Sequence, residues 1–274
     1  VLGHEVVGVI QEINPSNKTF KTGDIVALGH HYPCMNCEYC KNGNVSMCRH
    51  FKETNIFPGG FSEYVFVSEE HLQNVAYIKP ENLTNIEASF YEPLGCCVRA
   101  VKRASLRVNS TALVIGLGSI GILMAQALKA FGMNVIGCDL LPERINTLKR
   151  LGIEAFNVNE MCESIKADGI FMTSGADAAI NTALKYVRDG GKILVFSSTP
   201  KNLGYANNEI YYRELTVLGS YSPSLKDLKD SLELLKSKEV KVSEISTVYP
   251  LDKVQKAIND TVENKILKAY IKIS

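Results

Sequence analysis

The sequence predicts an α/β protein with a doubly wound parallel sheet and a smaller β-rich region that carries a four-cysteine lobe. Three observations support that class. Apolar runs of strand length alternate with helix-like stretches over residues 112–219, a glycine-rich turn ends the first of those runs, and residues 1–80 hold short β-like segments around clustered thiols.

Within residues 1–80, an apolar run at 6–10, a turn at 21–24, a strand at 25–28 and the alternating stretch 61–67 after Gly59-Gly60 predict a small barrel or sandwich. The excursion from it holds Cys34, Cys37, Cys40 and Cys48, with gaps of two, two and seven residues. Four thiolates so near in sequence can converge on one tetrahedral ion, and zinc is the usual occupant of an all-cysteine shell. No position would remain for water, so the site reads as structural. A bacterial iron–sulfur run ends C-x-x-x-C-P, whereas Arg49 follows Cys48 here, and disulfides need an oxidising compartment. Iron–sulfur ligation and unligated thiols are the alternatives to zinc. His30-His31, just ahead of the lobe, read as its polar residues, because four thiolates already close a tetrahedron.

Residues 84–104 turn helical and read as a bridge between two domains. Strands are predicted at 112–116, 134–138, 154–157, 169–173, 192–197 and 215–219, with helices at 119–131, 142–151 and 176–188 stopped by Gly132, Gly152 and Gly190. Such alternation implies a parallel sheet with right-handed crossovers. Two amphipathic helices at 224–238 and 251–264 and an alternating strand at 267–273 close the chain, and that strand is placed to rejoin the first domain.

The turn after the first of the six strands reads Gly116-Leu117-Gly118-Ser119-Ile120-Gly121, a G-x-G-x-x-G at a strand-to-helix junction. Gly116 permits the tight turn, Gly118 lets a pyrophosphate approach the backbone, and Gly121 lets helix pack on strand. Ser119 and Ile120 open the helix whose free amides face the anion. Asp139 ends the next strand, where its carboxylate would accept from the adenosine ribose hydroxyls and repel a 2′-phosphate; Arg144 is the nearest cation. The predicted cofactor is therefore NAD rather than NADP.

Net charge is +1, from 30 Lys and Arg against 29 Asp and Glu with no long run of one sign, which argues against nucleic acid or an anionic membrane as partner. The apolar segment 112–132 is broken by three glycines, Gln126 and Lys129, so it reads as buried strand and helix rather than a membrane span. Eight cysteines, a metal-like quartet and no basic leader predict a cytoplasmic location. Opening at Val1 inside a β-like run, the sequence predicts that an N-terminal part is missing.

Two further places offer metal-ligating side chains: His4-Glu5 beside Gly3, and Glu92 in Glu92-Pro93-Leu94. Gly3-His4-Glu5, the four-cysteine lobe, Gly59-Gly60-Phe61-Ser62-Glu63-Tyr64, Glu92-Pro93-Leu94 and the glycine turn stand in the order found in zinc-dependent medium-chain alcohol dehydrogenases. The chain most resembles their polyol branch, which includes sorbitol, threonine and galactitol-phosphate dehydrogenases. The resemblance implies an incomplete GroES-like catalytic domain over 1–92 and 222–274 and a Rossmann domain over 93–221. It implies that His4, Glu5 and Glu92 hold a catalytic zinc, that a secondary alcohol is oxidised to its ketone with NAD, and that the protein forms dimers or tetramers. The family's first zinc ligand, a cysteine, lies upstream of the Gly-His-Glu motif. The competing expectation is therefore a catalytically incompetent fragment that binds NAD and structural zinc.

Overall fold

In the computed structural model, which describes residues 2–198 and 207–273, the chain forms two compact units. One comprises Val1–Gly95, Ser222–Lys238 and Val242–Ser274; the other comprises Cys96–Tyr221 and Glu239–Lys241.

In the first unit, β1 (Val6–Val9) pairs antiparallel with β2 (Ile25–Leu28), which pairs antiparallel with β3 (Ala76–Ile78). The turn into β2 is fixed locally: the Asp24 carboxylate accepts from the Lys21 amide at 2.9 Å, and the Ile10 amide donates to the Asp24 carbonyl at 2.9 Å. β2 supplies Val26, Ala27 and Leu28 to the core. Helices Asn85–Ser89 and Leu225–Lys236 each begin in a capping box, Thr84 with Glu87 and Ser224 with Asp227, which satisfies their first amides. Among the described residues no barrel closes. The stretch 61–67 contributes one bridge, Phe57 to Phe66, and Tyr64 and Phe66 are 74% and 71% exposed, so its alternation marks no buried sheet face.

The second unit is a six-stranded sheet, all parallel, of β4 (Thr111–Ile115), β5 (Asn134–Asp139), β6 (Glu154–Asn157), β7 (Ala167–Met172), β8 (Val187–Val195) and β9 (Thr216–Gly219). The strand order is β6-β5-β4-β7-β8-β9, so the winding direction reverses at β4. Ligands of such sheets bind at the carboxyl ends of the strands flanking that reversal. Leu113, Ile115, Ile170, Met172 and Ile193 are buried along the strands, and helix Ser119–Ala130 buries eight consecutive residues from Gly121 to Leu128. That burial accounts for the apolar run at 112–132. Among the described residues no helix is long and apolar enough to cross a membrane.

One boundary differs from the sequence expectation. The helix expected over 176–188 ends at Tyr186, and β8 begins at Val187, well before the predicted 192. Its register against β7 jumps from Ala167↔Val187 to Gly169↔Lys192, and Gly190 takes φ +68° within the irregularity. The glycine marks a bulge inside a strand rather than a helix stop.

The chain closes back in the first unit, where β10 (Ser246–Pro250) pairs in parallel with β11 (Lys268–Lys272), joined through helix Val254–Val262.

Candidate functional site

The cysteine lobe is built from a short helix, Glu38–Lys41, a 3-10 turn, Val45–Met47, and helix Arg49–Glu53, packed on a small core of Cys40, Val45, Cys48 and Phe51. Its four sulfurs lie within 4.8 Å of one another, with Cys37 to Cys40 at 3.6 Å and Cys34 to Cys48 at 3.5 Å. Tetrahedral Zn–S bonds of about 2.3 Å give a sulfur–sulfur edge of roughly 3.8 Å, so the donor set fits zinc. A disulfide would need about 2.05 Å, and none of the eight cysteines is in a disulfide. Burial pushes the Cys40 thiol up to about 12. At Cys48 burial acts the same way but is outweighed by donors from Cys34 and Phe51, which bring it down to about 6.

A second cluster forms around His4, Glu5 and Glu92, each of which offers one ligand atom within 4.8 Å of the others. His4 is exposed, Glu5 half-buried and Glu92 buried. The strands set this up from both sides. Gly3, at φ +68°, lies so close to the Gly60 segment that a Cβ on it would sit 2.7 Å from the Phe61 amide nitrogen, and the Gly60 amide donates to the Gly3 carbonyl at 2.6 Å. Gly59-Gly60 thus clamps the backbone that carries His4 into β1. Glu92 stands in the first turn of helix Tyr91–Ala104, anchored where Ser231 Oγ donates to the Tyr91 carbonyl at 2.8 Å.

Two residues that sequence reasoning left outside this cluster belong to its surroundings. Lys268, at the start of β11, forms an ion pair with Glu5 Oε2. His30 sits beside the cluster: its ring centroid is 4.6 Å from that of His4, and its Nδ1 is 4.0 Å from Glu92 Oε1. Burial, followed by the neighbouring His31 and His4, lowers the His30 pKa to about 3. His31 instead packs on Phe51 of the lobe, with Nδ1 against the Thr54 carbonyl. The signal for His30 was the strand register. Pairing of Val6 with Leu28, continued beyond the strand ends, sets His4 opposite His30.

In the second unit, Gly116 turns at φ +94° directly after β4, its amide donating to the Cys138 carbonyl at 2.9 Å. A Cβ on Gly121 would lie 1.9 Å from the Gly116 carbonyl oxygen, while one on Gly118 would meet nothing within 4 Å. The helix therefore packs tightly on the turn yet leaves open space at Gly118, ahead of the half-buried Ser119 and Ile120 of its first turn, the geometry an anion needs to reach the amides. The Asp139 carboxylate accepts from the amides of Leu117 (2.6 Å), Leu140 (2.7 Å) and Leu141 (2.9 Å), and Arg144 Nη1 lies 3.4 Å from it. Its side chain is thereby held at the end of β5.

Comparison with known proteins adds independent findings. Residues 119–237 match the zinc-binding dehydrogenase family, and residues 1–77 match the alcohol dehydrogenase GroES-like domain. D-xylulose reductase A of Aspergillus oryzae is 30% identical over 99% of this chain and 80% of its own length. Sorbitol dehydrogenase of Bacillus subtilis is 29% identical over 99% of this chain and 80% of its length. Among solved structures, an Escherichia coli oxidoreductase/dehydrogenase of unknown specificity superimposes with a TM-score of 0.89 at 26% identity, over 99% of this chain and 81% of that one. The 2R,3R-butanediol dehydrogenase of Bacillus subtilis, 23% identical, shares the fold with a TM-score of 0.86 over 98% of this chain and 79% of that one.

Proposed function

We propose that this chain, which belongs to the zinc-dependent medium-chain alcohol dehydrogenase family and to its polyol branch, interconverts a secondary alcohol and its ketone with NAD. The substrate class is a polyol, sugar alcohol or amino alcohol. The observation that carries this reading is the convergence of the adjacent His4 and Glu5 with Glu92, distant from them in sequence, within 4.8 Å of one another.

Imidazole and carboxylate are the ligand types of catalytic zinc, and an incompletely closed set leaves room for substrate. Zinc bound there would supply a Lewis acid that lowers the pKa of the alcohol toward neutrality. In this reading His4 donates a ring nitrogen, buried Glu92 supplies negative charge in a medium of low dielectric, and Lys268 restrains Glu5. The amides at Gly118, Ser119 and Ile120 take the dinucleotide pyrophosphate. Asp139 accepts from the adenosine ribose and disfavours a 2′-phosphate, with Arg144 alongside it. Cys34, Cys37, Cys40 and Cys48 hold a structural zinc that braces their lobe. The same reading assigns residues 1–92 and 222–274 to the catalytic domain and 93–221 to the cofactor domain. It makes the protein a homodimer or homotetramer of the reducing cytoplasm, to which eight cysteines outside any disulfide are suited.

The test is an assay with NAD and NADP over a panel of polyols and amino alcohols, before and after zinc is stripped by a chelator and restored. Turnover that is lost and regained with zinc, and that favours NAD, is the expected result. Unchanged turnover in the stripped protein would sink the mechanism.

A further inference from the structure

We propose that His30 is a direct protein ligand of the metal held by His4 and Glu92. The inference rests on the zinc reading above and adds a residue to it.

Its carrying observation is an orphaned donor atom. His30 Nδ1 is closed off from solvent and has no hydrogen-bond partner among the described residues, an arrangement that costs free energy unless something else occupies that nitrogen. Glu92 Oε1 lies 4.0 Å from it, too long for a hydrogen bond. That distance is close to the spacing of two ligands on one ion, since zinc bonds of about 2.0–2.1 Å to nitrogen and oxygen place tetrahedral neighbours roughly 3.3 Å apart. A movement of well under 1 Å brings Nδ1 and Glu92 Oε1 to that separation. His4 is on the same side, with its ring centroid 4.6 Å from that of His30.

The surroundings of Glu5 point the same way. One of its carboxylate oxygens is engaged by Lys268, so its charge is already shared with a cation before any metal arrives. His30 carries no such competitor. The backbone of His30 is itself held, because His71 Nε2 lies 2.9 Å from the His30 carbonyl oxygen. With His30 drawn in, His4, Glu92 and His30 would make a two-imidazole, one-carboxylate set, and Glu5, restrained by Lys268, stands in the same cluster as His4 and Glu92.

The experiment uses the full chain. Zinc is counted per chain by mass spectrometry and its affinity measured by competition with a chromophoric chelator, and cobalt is substituted to read the ligand field. The parent chain should bind two classes of zinc. His30→Asn should weaken the second class by 100-fold or more and shift the cobalt visible bands, with the cysteine class unchanged. Because that variant can perturb folding, the unmodified chain is also followed by long-range proton–nitrogen spectra of its five histidines during zinc addition. Two rings, His4 and His30, should show the shift of a coordinated nitrogen. If only His4 shifts and His30→Asn binds zinc within threefold of the parent, His30 is not a ligand and the zinc reading survives. If His4→Asn also keeps both zinc classes, or the parent binds only one, the zinc reading itself falls.

Discussion

Replacing Gly121 by alanine would put a methyl carbon 1.9 Å from the Gly116 carbonyl oxygen and 2.9 Å from Thr173 Oγ1. Carbon–oxygen contacts relax at about 3.3–3.6 Å, so helix and turn must separate by roughly 1.5 Å. The obstacle is backbone that cannot swing aside, because the Gly116 amide donates to Cys138 and its carbonyl accepts from Thr173 Oγ1 at 2.7 Å. Overpacking costs about 1–3 kcal/mol and occasionally more, and alanine recovers about 1 kcal/mol of helix propensity over glycine. So close an approach belongs at or above the top of that range, leaving a net loss of about 2 kcal/mol, or a fall of roughly 4–8 °C in a calorimetric unfolding midpoint. Gly118→Ala is the paired control. Nothing lies within 4 Å of its Cβ, and its backbone, at φ −65° and ψ −176°, suits any residue. Its stability should stay within about 0.5 kcal/mol, while its methyl group occupies the open space the pyrophosphate would enter and weakens NAD binding at least tenfold, read by cofactor fluorescence. If Gly121→Ala melts with the parent while Gly118→Ala unfolds early, the close-approach reasoning is wrong.

Three other outcomes follow from geometry already described. Cys48→Ser should lower zinc by one atom per chain and expose residues 34–53 to limited proteolysis, because a thiolate shell contributes its binding energy to folding; protection equal to the parent would refute a metal-braced lobe. Asp139→Ala should cost about 1–3 kcal/mol of stability by stripping three amides of their acceptor and should narrow the preference for NAD over NADP, both checked on one preparation by calorimetry and by cofactor titration. At Glu87 burial raises the pKa, but the Lys238 ammonium and the Thr84 amide and hydroxyl outweigh it and hold the carboxyl below its usual range. A depressed folded pKa means that this stabilisation is present above the ordinary carboxylate pKa and is lost as pH falls through the folded value. The acid limb of the pH–stability curve should therefore be shallower in Glu87→Gln, and a superimposable limb would count against it.

The parallel sheet was legible because its central strands, β4 and β7, are buried apolar runs, with helix-period stretches on either side of them. The cysteine lobe and the glycine turn were legible because their chemistry lies within a few consecutive residues. His30 and Lys268 were not, since each meets the site only through strand placement: His30 across the β1–β2 register, and Lys268 at the head of a strand drawn back from the far end of the chain. The stretch 61–67 misled for the converse reason. Its alternation is real, but period two reports a pleat and not the neighbour that would bury one face of it.

The Glu5–Lys268 ion pair links two residues 263 positions apart, the carboxylate being made well before the lysine. At about 5–20 residues per second, roughly 13–50 s of translation separate the two. Throughout that interval the Glu5 carboxylate on the ribosome has no lysine from β11 to restrain it. A metal captured by the nascent chain would therefore meet a different set of competing ligands from one that arrives after β11 has docked. The order of events during synthesis, and not only the finished geometry, would decide which oxygen reaches the ion first.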